Sequence, residues 1–220
     1  MIRLGMLIAL LAWALLPDVA VAQVVFDENA LVEREDGLFY VRSRSEPYSG
    51  QYRKADGTEE GAFLNGRQHG AWLYTFPNGS TRGIETFSAG IRNGRYALWH
   101  PNGVPMFEGT FVDGSPHGEH SMWNANGALR QQTTYLNGIR SGPQTTWLAD
   151  GSKLVETYWA ENRRDGDQTW FYPNGRKRWE THYLKGKRHG RWTQWTSDGR
   201  MYAQSTWKEG ELVSRRSFSR

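Results

Sequence analysis

Between Phe171 and Gly190 the chain reads FYPNGRKRWETHYLKGKRHG, three glycines set among Arg176, Lys177, Arg178, Lys185, Lys187 and Arg188 with aromatic residues interleaved. Those residue types suit two kinds of chemistry. Backbone N–H groups in a glycine-rich turn cradle phosphate, and aromatic rings bracketed by cations stack on nucleic-acid bases. The six histidines are the next candidates. His69, His117 and His189 each precede a glycine, a place suited to bracing a turn, while His100, His120 and His182 are scattered and none stands with a second ligand at a metal-binding spacing. Glu108, Glu156 and Glu180 occupy one recurring position, as a cross-strand charge ladder does, rather than forming an acid–base pair. No nucleophile elbow, P-loop or dinucleotide fingerprint is present. The reading is a non-catalytic protein with no cofactor and no metal.

The elements that carry these residues follow from an internal repeat. Six segments of 24 residues stack without a gap, 71–94, 95–118, 119–142, 143–166, 167–190 and 191–214, and a degenerate copy, 47–70, precedes them. The ninth position is always glycine, from Gly79 to Gly199, and is preceded each time by Asn or Asp. Such pairs are strong hairpin signals because both residues tolerate positive φ. The twentieth position is glycine except at Asn162, which marks a second turn. Between the turns the fifth position (Thr75, Trp99, Trp123, Trp147, Phe171, Trp195) and the seventeenth (Phe87, Phe111, Tyr135, Trp159, Tyr183, Trp207) form two aromatic ladders. Burying one such ring is worth about 2–3 kcal/mol, enough in sum to hold a chain that has no cysteine. The expected fold is all-β: about seven β-hairpin repeats forming one elongated, twisted antiparallel sheet. Residues 23–46, with the strand-like GLFYVR, are the expected N-terminal cap, and 215–220 a polar tail whose charge discourages edge pairing.

Residues 1–22 read as a cleavable signal peptide: a basic start at Arg3, an apolar run from Leu4 to Leu16, and the small-x-small pattern Ala20-Val21-Ala22. The mature chain is then periplasmic or extracellular. Its charge is uneven. Residues 23–46 hold six acids and three arginines, a balance of −3, and residues 163–220 hold fourteen Lys or Arg and six acids, a balance of +8. In an exported protein a basic end points to an acidic protein, a membrane surface or an envelope polymer, not to nucleic acid.

The copies FYPNGRKRWETHYLKGKRHG and LWHPNGVPMFEGTFVDGSPHG resemble the MORN repeat in its bacterial variant, and the opening DGLFYVRSRSEPYSGQY, from Asp36 to Tyr52, resembles the lead-in of YwqK-like antitoxins. The resemblance covers nearly the whole mature chain. It implies an array of hairpins with no catalytic residue, working as a scaffold or an antitoxin-like partner. In such arrays the core columns stay constant and the exposed ones vary. The varying second, fourth and sixth positions therefore nominate a binding surface of Trp72, Tyr74, Phe76, Trp170, Tyr172 and Trp192, rimmed by Arg176, Lys177, Arg178, Lys185, Lys187 and Arg188. A protein partner is the first expectation. A membrane surface or envelope polymer held by the basic C-terminal repeats is the second.

Overall fold

The computed structural model describes residues 24–26 and 30–218. The expected signal peptide lies outside the described residues. The described elements are β-strands joined by short turns, and they fall into two units divided between Gly103 and Val104.

In the first unit β1 (Val24–Phe26) runs parallel to β4 (Gly50–Lys54), and β5 (Glu59–Leu64), β6 (Arg67–Thr75), β7 (Thr81–Ser88) and β8 (Ile91–Trp99) follow as an antiparallel meander. A separate hairpin, β2 (Leu31–Glu33) and β3 (Phe39–Val41), lies against it. The core of this unit is aromatic. Trp72 stacks on Tyr52 at 5.5 Å between ring centres and meets Phe63 edge-on at 5.1 Å, with Phe87 at 6.4 Å. Phe39 from the small hairpin closes on Phe63 at 4.8 Å. Only glycine at position 61 leaves room for this packing. A Cβ there would sit 2.4 Å from the Trp72 ring.

The second unit is a ten-strand antiparallel meander: β9 (Pro105–Val112), β10 (Ser115–Trp123), β11 (Leu129–Leu136), β12 (Ile139–Trp147), β13 (Lys153–Ala160), β14 (Arg163–Phe171), β15 (Lys177–Leu184), β16 (Lys187–Trp195), β17 (Met201–Lys208) and β18 (Glu211–Ser217). β18 incorporates residues 215–217, which the sequence placed in a polar tail. Their backbone groups pair with β17, so they are an edge strand.

The two turn columns use different backbone solutions. At Phe76-Pro77-Asn78-Gly79-Ser80 only Gly79 has positive φ (80°); its N–H returns to the Phe76 carbonyl at 2.8 Å, and Phe76 N–H donates to the Ser80 carbonyl at 2.8 Å. This is a three-residue loop ending in a left-handed glycine, not a two-residue turn. The preceding Asn is therefore needed for its side chain and not for positive φ. Asn78 Oδ1 accepts from Ser80 N–H (3.0 Å) and Ser80 hydroxyl (2.7 Å), and Asp150 does the same for Ser152. At the other column both central residues are left-handed, as at Ala89 (48°) with Gly90 (83°) and Lys185 (48°) with Gly186 (86°). Here the chain makes a two-residue turn matched to strand twist, even where the first residue is not Asn.

Candidate interaction surface

Cross-strand partners share a face of a sheet. In the second unit the register aligns Gln168 with Thr181, Trp170 with Trp179, and Tyr183 with Arg188, so the second, fourth, thirteenth, fifteenth and seventeenth repeat positions all project to one face. Along β9–β17 this face carries aromatic, Gln, Thr and Arg side chains and no Asp or Glu. The carboxylates lie on the other face, where Glu156 and Glu180 are interleaved with Thr145, Thr169 and Thr193, and where Lys153 and Lys177 neutralise them. The central row of the first face is a polar ladder, in which Gln168 donates to the Thr157 hydroxyl at 3.0 Å and Gln144 accepts from Trp159 Nε1 at 2.8 Å.

Beside that ladder runs a row the sequence reading did not isolate. Register pairs Tyr135 with Arg140, Trp159 with Arg164, and Tyr183 with Arg188. Each arginine also covers the ring on its other neighbour: Arg140 lies 3.7 Å from the centre of the Trp159 ring, Arg164 lies 4.1 Å from Tyr183, and Arg188 lies 4.8 Å from Trp207 and equally far from Trp192 of its own strand. Rings and guanidiniums thus alternate from Tyr135 to Trp207. A stacked contact of this kind is worth about 0.5–1 kcal/mol where the ring is half-exposed, as at Trp159 and Trp207, while Tyr183 is buried. Arg164 also donates to the Tyr183 hydroxyl at 2.8 Å, and Arg140 Nε to Asn162 Oδ1 at 3.3 Å. Among the described residues none of these three arginines has a carboxylate partner. The signal was present in the sequence: Arg92, Arg140, Arg164 and Arg188 occupy one column, two residues past the turn position. Only the register shows that this column meets the seventeenth-position ladder.

The nominated residues separate into different environments. Trp72, 1% exposed, is the most buried large side chain of the first unit, and its Nε1 donates to the Ala62 carbonyl at 3.2 Å. It belongs to the core and not to a binding surface, because the small hairpin and Tyr52 cover the face of the sheet from which it projects. Tyr74 and Phe76 are half-buried in the same unit. Burial, reinforced by Glu85 and Glu59, pushes the Tyr74 phenol up to about 12.

In the second unit Trp170, Tyr172 and Trp192 are half-buried. Trp170 packs on Trp179 at 5.1 Å, and Tyr172 donates to the Trp195 carbonyl at 2.9 Å. The basic residues do not form one rim. Arg176, Lys177 and Arg178 stand at one end of β15, and Lys185, Lys187 and Arg188 flank its other end, about 23 Å away at ~3.3 Å per residue. The first group is engaged: Arg176 donates to the Asp198 carbonyl, Lys177 pairs with Glu180, and Arg178 lies 4.7 Å from the Trp179 ring. Lys185 and Lys187 are exposed.

The histidines are structural where their contacts are visible. His120 is buried among Phe107, Phe111 and Tyr135 with Nε2 at 2.9 Å from the Thr110 carbonyl, and His117 Nδ1 meets Asn137 Oδ1 of a turn at 3.2 Å. His182 pairs with Asp167 at 2.8 Å on the acidic face. His69 Nδ1, His189 Nδ1 and Trp192 Nε1 are buried without a hydrogen-bond partner. Among the described residues no group of three or more His, Asp or Glu side chains is placed to hold a metal ion, and no helix is long and apolar enough to cross a membrane.

No curated protein matches the chain. The family model described as MORN repeat variant matches residues 116–137 and 164–185, two segments whose starts lie 48 residues apart. Each segment opens inside a long strand, β10 or β14, and closes in a two-residue turn. The described strands form a large antiparallel sheet of recurring strands, and within it residues 116–185 form a MORN-repeat-like region.

Proposed function

We propose that this chain is an exported, non-catalytic array of about seven hairpin repeats that binds another protein, as an antitoxin- or immunity-like partner or as an envelope scaffold. The observation that carries the reading is the segregation of side chains in the second unit. One face presents half-buried aromatic, amide and guanidinium groups without a carboxylate, while the acids carried by the strands lie on the other and the rest stand in turns. Aromatic and Arg side chains are the types that supply most binding energy at protein interfaces, and a rigid sheet presents them with little ordering cost.

The test is affinity capture from envelope extract by the tagged protein and by a variant with Trp170→Ser and Tyr172→Ser. A defined partner retained by the first and lost by the second supports the reading. The same proteins recovered by both, or none by either, would sink it. The +8 balance of residues 163–220 supports a second reading, in which the basic repeats hold an anionic lipid or envelope polymer. Cosedimentation with anionic vesicles or cell-wall polymer that falls steeply with salt would replace the first reading by the second.

A further inference from the structure

We propose that the alternating row of rings and arginines in the second unit is a binding site for an acidic polyproline-II segment of a protein partner, one that carries a carboxylate at every third residue. The inference rests on the protein-binding reading and specifies its ligand.

Arg140, Arg164 and Arg188 come from β12, β14 and β16, alternate strands of one sheet. At ~4.8 Å per strand their guanidiniums recur about every 9.6 Å across the sheet. A polyproline-II helix has three residues per turn and rises ~3.1 Å per residue, so residues three apart share one side at about 9.3 Å. A regular β-strand does not match, since its same-side residues recur every ~6.7 Å. An acidic polyproline-II segment laid across the strands would therefore place successive carboxylates on successive arginines.

The row also meets the other needs of such a ligand. The arginine stems are held against Trp159, Tyr183 and Trp207, so their geometry is set before binding. Trp159 and Trp207 are half-buried and satisfy their own indole N–H groups through Gln144 and Ser205, which leaves apolar ring edges for proline rings between Arg140 and Arg164 and beyond Arg188, while Tyr183, between Arg164 and Arg188, is buried beneath the row. Among the described residues of β9–β17 no carboxylate shares the face to compete with the ligand or repel it.

The experiment measures fluorescence anisotropy of labelled peptides with equal numbers of glutamates spaced every second, third or fourth residue in polyproline, titrated with the purified protein. The expected result is preferential binding of the (Glu-Pro-Pro)n peptide, at least about fivefold over the other spacings. Arg164→Met, which keeps an apolar stem on the Tyr183 ring, should weaken it by about tenfold, the loss of one charge-assisted contact. Arg200→Met, at an exposed turn where the arginine pairs with Asp198, should leave binding unchanged. Equal affinity for the three spacings, no binding of any, or competition by anionic vesicles that Arg164→Met does not weaken would each overturn the assignment. If the assignment fails while a partner is still captured through Trp170 and Tyr172, protein binding stands without this ligand; if no partner is captured either, both fall.

Discussion

Gly61→Ala should destabilise the first unit by about 2–4 kcal/mol, although it adds a single methyl group. Gly61 lies in β5 without a positive φ, so alanine is compatible with its backbone and any loss is steric. Its Cβ would stand 2.4, 2.5 and 2.7 Å from the Cδ2, Cε2 and Cγ atoms of Trp72. The ring has nowhere to go. Tyr52 is stacked on it, and Phe63 and Phe87 close two further sides. Overpacking of this kind costs about 1–3 kcal/mol. Tilting the indole also breaks the bond from Nε1 to the Ala62 carbonyl, about 1 kcal/mol more. At ~2–4 °C per kcal/mol for a chain of 220 residues, the unfolding midpoint should fall by about 5–15 °C. Urea unfolding followed by near-ultraviolet circular dichroism reads the change. Trp72→Phe in the same chain should recover part of the loss, because the smaller ring vacates the colliding edge; the pair should be non-additive by about 1 kcal/mol or more. A Gly61→Ala protein within 0.5 kcal/mol of the parent, or strict additivity with Trp72→Phe, would refute the close packing on which the estimate stands.

Ala89 holds φ 48° ahead of Gly90, and Ala89→Asn should stabilise the turn by about 0.5–1 kcal/mol by supplying a residue that tolerates the left-handed region, read as a raised urea midpoint. The Tyr74 phenol, raised to about 12 mainly by burial, holds its proton in the folded chain at pH values where the unfolded chain has lost it. Stability from this group is thus complete below about 10 and is lost as pH rises towards 12, and Tyr74→Phe should flatten that alkaline slope in pH-dependent unfolding. Asp56, lowered to about 2 by the Thr58 hydroxyl and then the Thr58 backbone N–H, contributes in the opposite sense. Its share is present above the ordinary carboxylate range and lost as pH falls through about 2, and Thr58→Ala should return its carboxyl resonance towards ordinary titration in a carbon-detected NMR series.

The all-β class and the positions of the turns were legible in the residues, because glycine at fixed spacing between aromatic runs permits little else. The conformation of the turns was less so. Asn78-Gly79 and Lys185-Gly186 look like a strong and a weak version of one signal, yet the first is a three-residue loop fastened by the Asn side chain and the second is the two-residue turn with both residues left-handed. Loop length depends on the register of the flanking strands, and that register is a property of their pairing.

The candidate surface separates in the same way. That Trp72 and Trp192 share the second column, with Trp170 two positions on in the fourth, is evident from spacing, but Trp72 is sealed under a hairpin peculiar to the first unit, while the other two stay half-buried. Repetition specifies which way a side chain projects and says nothing of what covers it. Likewise the excess of Lys and Arg near the C-terminus is a fact of composition. Its division into two groups at opposite ends of β15 depends on strand length. The insertion of Arg140, Arg164 and Arg188 between rings contributed by neighbouring strands depends on register. The sequence by itself determined a periodic, cysteine-free sheet protein with aromatic columns. Tertiary structure alone decided which columns meet, because residues far apart in the chain become neighbours only when strands pair, and pairing sets both the face they share and the spacing at which their charges recur.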